Sequence, residues 1–411
     1  MSFFSFTKPH EEISLVFDIG SDSVGGTITK LSKHSLPIVI YSYREPISFN
    51  SEASYEKLLA LALQTLRHVV QMIAQEGLTH SYFAKHGSHR VRHIFCTFSA
   101  PWYIAHTKTI VINRDEQFVV TEKLIGEILE KDEDDFEKSI KDGDYSKIFK
   151  QEVEAIERKI IETRLNGYSV NAPYSKKARN LEVSLYTSIV PKELLNMVRE
   201  IMRSHFHFNV LEFSSAALGI FTMVRDLYPA EENFLIVTIA GEVTEVSVVS
   251  KGMLGDTISF PGGRMTLIRT LSRVLKITSE VGLSYIKLYG EQAIEKRFTQ
   301  KIEKAVLEFS GMWCSTFARA IEDLAKNNVL SKKIFLTVAG DVALSFQRLI
   351  EKERCIQFPL SPSGDENDMY TVTVLGAPVA THVVQAEKNV KNDVSLFLQS
   401  AYAAKLFNLE T

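Results

Sequence analysis

The sequence predicts an α/β protein of two lobes, and three observations carry that expectation. A chain of 411 residues is long enough for two or more domains. Two candidate β-hairpins with small-residue tips, one near the N-terminus and one past the midpoint, give both halves the same opening. Between them a run of strands and helices reads as a small α+β unit inserted into a larger domain.

The first hairpin begins with the apolar run ISLVFDI, which carries Asp18 near its end. It turns through Gly-Ser-Asp-Ser-Val-Gly-Gly and returns along TITKL. PIVIYSYRE is a third strand. The stretch from Tyr55 to Glu76 repeats apolar residues at three- and four-residue spacing and is followed by Gly77, which predicts an amphipathic helix. The basic, histidine-rich segment from His80 to His93 reads as an exposed connector. Strands VRHIFCTFSA and TKTIVIN follow, then a helix from about Thr121, the acidic run EKDEDDFEK, a second helix, strand LEVSLYTSIV and a helix from Pro191. The second half opens with VLEFSSAALGIFTMV, a strand leading into a helix. FLIVTIAG and EVTEVSVVSKG form the second hairpin. A helical stretch from Met265 to about Lys326 comes after FPGG. The strand and tip KIFLTVAGDVAL and a closing helix complete the chain.

Composition narrows the function classes. With 47 basic against 50 acidic residues and a net charge of −3, nucleic acid is not expected as a partner. Cys96, Cys314 and Cys355 are sparse and odd in number, which suits a reducing compartment and offers neither a disulfide framework nor a zinc site. The start MSFFSFTKPHEE lacks the pattern of a signal peptide, and no apolar run reaches the ~18–20 residues of a membrane span. The expected location is cytoplasmic, with peripheral contact at the inner face of the membrane as the alternative. Phe3, Phe4 and Phe6 have no basic face beside them and read as a disordered terminus. VSLFLQSAYAAKLFNLET forms the closing helix and carries the single Lys405, which gives little attraction to anionic lipid, so a dedicated C-terminal anchor is not expected.

A phosphate group needs converging N–H donors, a small-residue turn and a magnesium ion to spread its charge. Asp18, Gly20, Ser21 and Ser23 supply such a tip, with Asp18 placed to hold a magnesium-bound water. D-x-G-[ST] alone is equally a plain turn, and the order of three tips is what favours phosphate: Gly241 opens the second half, and Ala339-Gly340-Asp341 follows a strand about a hundred residues on. Gly262-Gly263 is either a turn or part of the nucleotide cleft. No catalytic residue is assigned, because no histidine base is placed beside Ser21 or Ser23. His80, His86, His89 and His93 lack a partner carboxylate or cysteine and read as solvated, as does the acidic run.

That order resembles the actin, sugar kinase and heat-shock chaperone superfamily, whose two phosphate loops and one adenosine loop come in this sequence. VFDIGSDSV looks like the first phosphate loop of the bacterial cell-division FtsA branch. LNGYSVNAPYSKKARNLEVSLYTSIV, EFSSAALGIFTMV, ISFPGGRMT and SYIKLYGEQA are similar to further FtsA segments, over about residues 15–410. The resemblance implies a two-lobed actin-like (ribonuclease H-like, duplicated) ATPase fold with a small inserted α+β subdomain of the FtsA type. The implied first lobe spans 1–84 and is completed by 390–411. The insert spans 85–205, and the second lobe 206–389, with a helical subdomain at about 271–333. ATP or ADP with magnesium would bind between the lobes. Asp18, Gly20, Ser21 and Ser23 would meet the phosphates, Gly241, Thr244, Gly262 and Gly263 would form the opposing side, and Lys287, Gly340 and Asp341 would lie near the nucleoside.

The departures shape the functional expectation. Thr238 stands where the family's second loop has its leading carboxylate, two of that loop's three glycines are gone, and Ser284 replaces a Glu. Glu242 would set negative charge against a phosphate, a repulsion of about 4 kcal/mol at ~4 Å and an effective dielectric of 20. Phosphoryl transfer depends on positioning and charge neutralisation, so weak or lost hydrolysis is expected. The implied function is a filament-forming scaffold that self-associates head to tail and links a tubulin-like division protein to the membrane or to other division proteins. The alternatives are a PilM-type pilus assembly protein with a pilus inner-membrane partner, and a small-molecule kinase, against which Thr238 argues.

Overall fold

The computed structural model describes residues 11–47, 54–86, 90–142, 151–352 and 370–410. Strands β1 (Glu11–Ile19), β2 (Ser23–Ser32) and β3 (Ile38–Pro46) form an antiparallel meander. Helix α1 (Tyr55–Met72), a π-helical turn (Ile73–Gly77), α2 (Ser81–His86) and β4 (Val91–Phe98) follow. Next come β5 (Ile104–Val119), α3 (Glu122–Asp142), β6 (Val153–Leu165), β7 (Tyr168–Ser169), β8 (Lys177–Pro191) and α4 (Lys192–His205). After β9 (Val210–Ser215) and α5 (Ala216–Leu227) a second meander contains β10 (Phe234–Ile239), β11 (Val243–Ser250) and β12 (Met253–Pro261). Three helices follow, α6 (Arg264–Leu275), α7 (Ser279–Gly290) and α8 (Lys296–Ala325). The chain continues through β13 (Lys333–Val338), α9 (Ala343–Lys352), β14 (Thr371–Val374), α10 (Ala377–Ala380), β15 (Gln385–Ala386) and α11 (Val394–Glu410).

The chain forms two compact units, one of Met1–Ser99, Met197–Leu227 and Leu375–Thr411, the other of Ala100–Asn196 and Tyr228–Val374. The first holds a six-stranded sheet in the order β15-β3-β2-β1-β4-β9, with β4 parallel to β1 and β9 parallel to β4. β1 is buried from Glu12 to its end, as a strand covered on both faces must be, which is why it reads as an almost continuous apolar run. Helix α1 starts at the Ser54 cap, whose hydroxyl accepts the Lys57 N–H at 3.4 Å, and buries Leu58, Leu66, Val69 and Val70 along one stripe. Helix α11 is apolar nearly all round because α5, β1 and β2 surround it; Ala403, Ala404 and Phe407 pack on Val16 and Leu31.

The second unit repeats the plan. Its five-stranded sheet runs β12-β11-β10-β13-β14, again a meander followed by two strands parallel to its first. Trp313 and Phe317 of α8 stack at 5.0 Å between ring centres and pack among Phe260, Phe309 and Phe346. The inserted α+β part is a sheet in the order β5-β8-β6-β7, with Ile125 and Ile128 of α3 on Leu181, Val183 and Leu185.

The boundaries differ from those read in the sequence. β4 pairs with β1 from Ile13 to Ile19, so the insert begins at Ala100 rather than 85. β9 and α5 belong to the first unit, so the segment expected as the second lobe begins at Tyr228 rather than 206. The expected second helix of the insert is strand β6, and the acidic run lies inside α3. Asp132 of that run is 2% exposed and accepts from the Thr187 hydroxyl at 3.2 Å, so the run is not uniformly solvated. The histidine-rich connector contains α2 and the start of β4, where His93 pairs with buried Glu12. Cys96 is a free, buried thiol, whereas Cys314 is disulfide-bonded, against the expectation of no disulfide. Phe3, Phe4, Phe6, His89 and Cys355 lie outside the described residues.

Candidate functional site

In the first unit the hairpin register sets Asp18 opposite Gly25 and Ile19 opposite Val24. The tip closes with Gly20 N–H donating to the Ser23 carbonyl at 3.0 Å. Asp18, Gly20, Ser21 and Ser23 are thus together, and Asp18 is 4% exposed. The carboxylate already has a cationic partner. Arg44 of β3 stands opposite Gly25 of β2, and its Nη2 donates to Asp18 Oδ2 at 2.7 Å. Its Nε donates to Asp393 Oδ2 at 2.5 Å and its Nη1 to Ser23 Oγ at 3.0 Å. Ser395 Oγ donates to the same Asp18 Oδ2 at 2.8 Å. A Cβ on Gly25 would lie 2.7 Å from Arg44 Nη2, so this glycine is where the guanidinium finds room.

The electrostatics agree with the geometry. Burial alone would raise the Asp393 carboxyl, but Arg44 outweighs it and holds the group below its usual range. Burial opposes the charge on Arg44 in turn, and Asp393 and Asp18 overcome it, so the guanidinium holds its proton more tightly than usual. Asp18 Oδ1 is closed to solvent and has no hydrogen-bond partner among the described residues.

The second unit builds the same hairpin with different occupants. Thr238 lies opposite Glu245 and Ile239 opposite Thr244, and Ala240 N–H donates to the Val243 carbonyl at 3.0 Å. Thr238 therefore occupies the Asp18 position and Glu242 that of Asp22. Glu242 is gripped by a guanidinium fork, with Arg269 Nη1 on Oε1 at 2.7 Å and Nη2 on Oε2 at 2.6 Å. The first-turn amides of α6 face the tip: Arg264 N–H donates to the Ala240 carbonyl at 2.9 Å and Met265 N–H to the Gly241 carbonyl at 2.8 Å. A Cβ on Gly263 would sit 2.3 Å from the Ala240 oxygen, so the second glycine of FPGG permits this approach.

Thr244 is fully buried, and its hydroxyl donates to the Gly262 carbonyl at 2.6 Å. Trp313 Nε1 donates to Thr244 Oγ1 and to the Gly262 carbonyl, both at 3.0 Å. Gly241, Thr244, Gly262 and Gly263 are thus brought together, and Asp341 joins them through Arg264, whose Nε and Nη2 donate to its two oxygens at 3.0 and 2.5 Å. Gly340 is exposed beside Asp341. Lys287 is exposed on α7, and Ser284 of that helix donates to the Glu280 carbonyl one turn back at 3.1 Å. Glu245 is buried, with the Tyr103 hydroxyl 2.7 and 2.8 Å from its two oxygens. Burial pushes its pKa up to about 7, although Tyr103 and Ser259 pull the other way.

The fold implies magnesium and a nucleotide at these loops, and the residues present do not fit the metal. A magnesium ion at Asp18 needs an open carboxylate oxygen; one oxygen is shared by Arg44 and Ser395 and the other is sealed from solvent. A guanidinium in contact with that carboxylate also repels a second cation. In the second unit the α6 amides that would meet an anion are given to the tip carbonyls. Among the described residues there is no cluster of three or more His, Cys, Asp or Glu able to hold a metal.

The sequence reading missed Arg44, Asp393, Ser395, Arg264, Arg269 and Trp313. Arg264 and Arg269 were within reach, since arginines just after a Gly-Gly turn lie one helical turn from its tip. Arg44 and Asp393 are 349 residues apart, and no local pattern joins them.

Neither a family description nor a curated protein matches the sequence. Solved structures do. A PilM–PilN type IV pilus biogenesis complex aligns with a TM-score of 0.55 and 11% identity over 96% of this chain and 97% of that chain. The ethanolamine utilization protein EutJ from Carboxydothermus hydrogenoformans gives 0.40 and 10% over 96% and 90%. A protein with actin-like ATPase fold and unknown function from Bacteroides thetaiotaomicron gives 0.35 and 8% over 98% and 99%. With its two sheets of one strand order and its two matching hairpin tips, the chain has the actin-like ATPase fold.

Proposed function

We propose that this chain is a non-hydrolysing actin-fold scaffold that holds a membrane-embedded partner in an assembly machine, in the manner of a pilus assembly protein. The observation that carries the reading is the Arg44 clamp on Asp18, which leaves the first loop without an open carboxylate for magnesium. Without a metal to neutralise developing charge, phosphoryl transfer loses its main source of stabilisation. The fold is then left to present surfaces. The likeness of fold to a PilM–PilN complex over nearly the whole of both chains supports a pilus inner-membrane partner.

The division reading keeps one observation of its own, the NGYSV…NLEV segment, which forms the turn from β6 through β7 and the long strand β8. In that reading the chain self-associates into filaments and holds a tubulin-like protein at the membrane. A pull-down with the full chain as bait separates the two. The pilus reading expects retention of a peptide from the cytoplasmic end of a pilus inner-membrane protein and no retention of the division tubulin. Retention of the tubulin alone overturns it.

A further inference from the structure

We propose that Arg44 stands in for the divalent cation at Asp18, so that the first loop is held in its closed form by the chain itself and has no use for a metal. Arg44 joins three segments. It reaches the hairpin through Asp18 and Ser23, starts from β3, and reaches the beginning of α11 through Asp393. Asp393 Oδ1 also accepts the Leu396 N–H at 3.0 Å and so caps that helix. Ser395 adds a second tie from α11 to Asp18. A loop that waits for a cation leaves its carboxylate without a counter-charge, whereas here a guanidinium meets Asp18 Oδ2 and Ser23 Oγ.

Two further observations point the same way. Gly25 leaves a hole that the guanidinium fills, with Leu396 closing its far side. Arg44 and Asp393 also line a pocket of about 460 Å³ that carries the exposed Lys388 and Lys391, so further positive charge lies on the Arg44 side of the clamp. Removing Arg44 leaves Asp18 and Asp393 as two uncompensated carboxylates around the vacated space, which is what a hard cation seeks.

The proposal concerns the loop on which the scaffold reading rests, and it is tested without nucleotide or partner, so the two readings fail separately. The measurement is manganese uptake by the full chain, followed by electron paramagnetic resonance, with melting temperature in EDTA and in magnesium as a second readout. Wild type is expected to take up no manganese through Asp18 and to melt at the same temperature in both buffers. Arg44→Gln is expected to bind manganese at least about tenfold more tightly, as the loss of a repelling charge implies, and to melt higher in magnesium. Adding Asp18→Asn to Arg44→Gln is expected to remove the gain. A folded Arg44→Gln variant without added uptake overturns the proposal. Should that variant fail to fold, wild type against Asp18→Asn decides: equal uptake supports the proposal, and loss of uptake in Asp18→Asn overturns it.

Discussion

Glu245 shows how one residue makes the stability of this protein depend on pH. Its buried carboxyl titrates near 7 in the folded chain against a usual 4.5, so folding favours the protonated form. The stabilising contribution is whole below pH 4.5 and shrinks as the pH rises towards 7. A shift of that size corresponds to up to about 3 kcal/mol. Glu245→Gln keeps the shape and cannot ionise. Urea unfolding is expected to show the variant equal to wild type near pH 4.5 and more stable by about 2–3 kcal/mol at pH 8. Equal slopes against pH would show that Glu245 is not the group responsible. No local pattern joins this carboxyl to its partner, because Tyr103 and Glu245 are 142 residues apart.

At the scale of elements, the second hairpin tip and the start of α6 meet backbone to backbone. Gly263→Ala would push a Cβ to within 2.3 Å of the Ala240 oxygen and 2.5 Å of the Gly241 oxygen. Both are backbone atoms that accept from α6 amides, so relief requires moving the helix. A loss of about 2–3 kcal/mol is expected in chemical denaturation, and a loss below 0.5 kcal/mol would show that the joint is slack. Elements whose pattern is set by a buried face were legible: both hairpins, α1, β8 and β13 come at the expected places. β6 was not. Its VEAIERKIIETRL is rich in Glu, Lys and Arg, which favour helices, and is half exposed, so pairing with β8 from Val153 to Leu165 decides its form. The reading of β4 as part of the insert failed for a related reason, since a parallel partner supplied by β1 leaves no local mark.

At the scale of the whole molecule, the duplicated plan was visible because each unit contains the same meander, and both sheets share its strand order. The loop glycines and Asp18 were visible too. What the sequence could not show is that arginines meet the carboxylates of all three tips: Arg44 at Asp18, Arg269 at Glu242 and Arg264 at Asp341. Each pair couples a readable motif to a residue outside it, and the pair rather than the motif fixes the chemistry. In the scaffold reading proposed above, these loops hold structure rather than turn over nucleotide. Phosphate release from ATP by the purified full chain in magnesium tests it most directly. The expected rate is indistinguishable from buffer and unchanged by EDTA; sustained magnesium-dependent release that Asp18→Ala abolishes would overturn the scaffold reading.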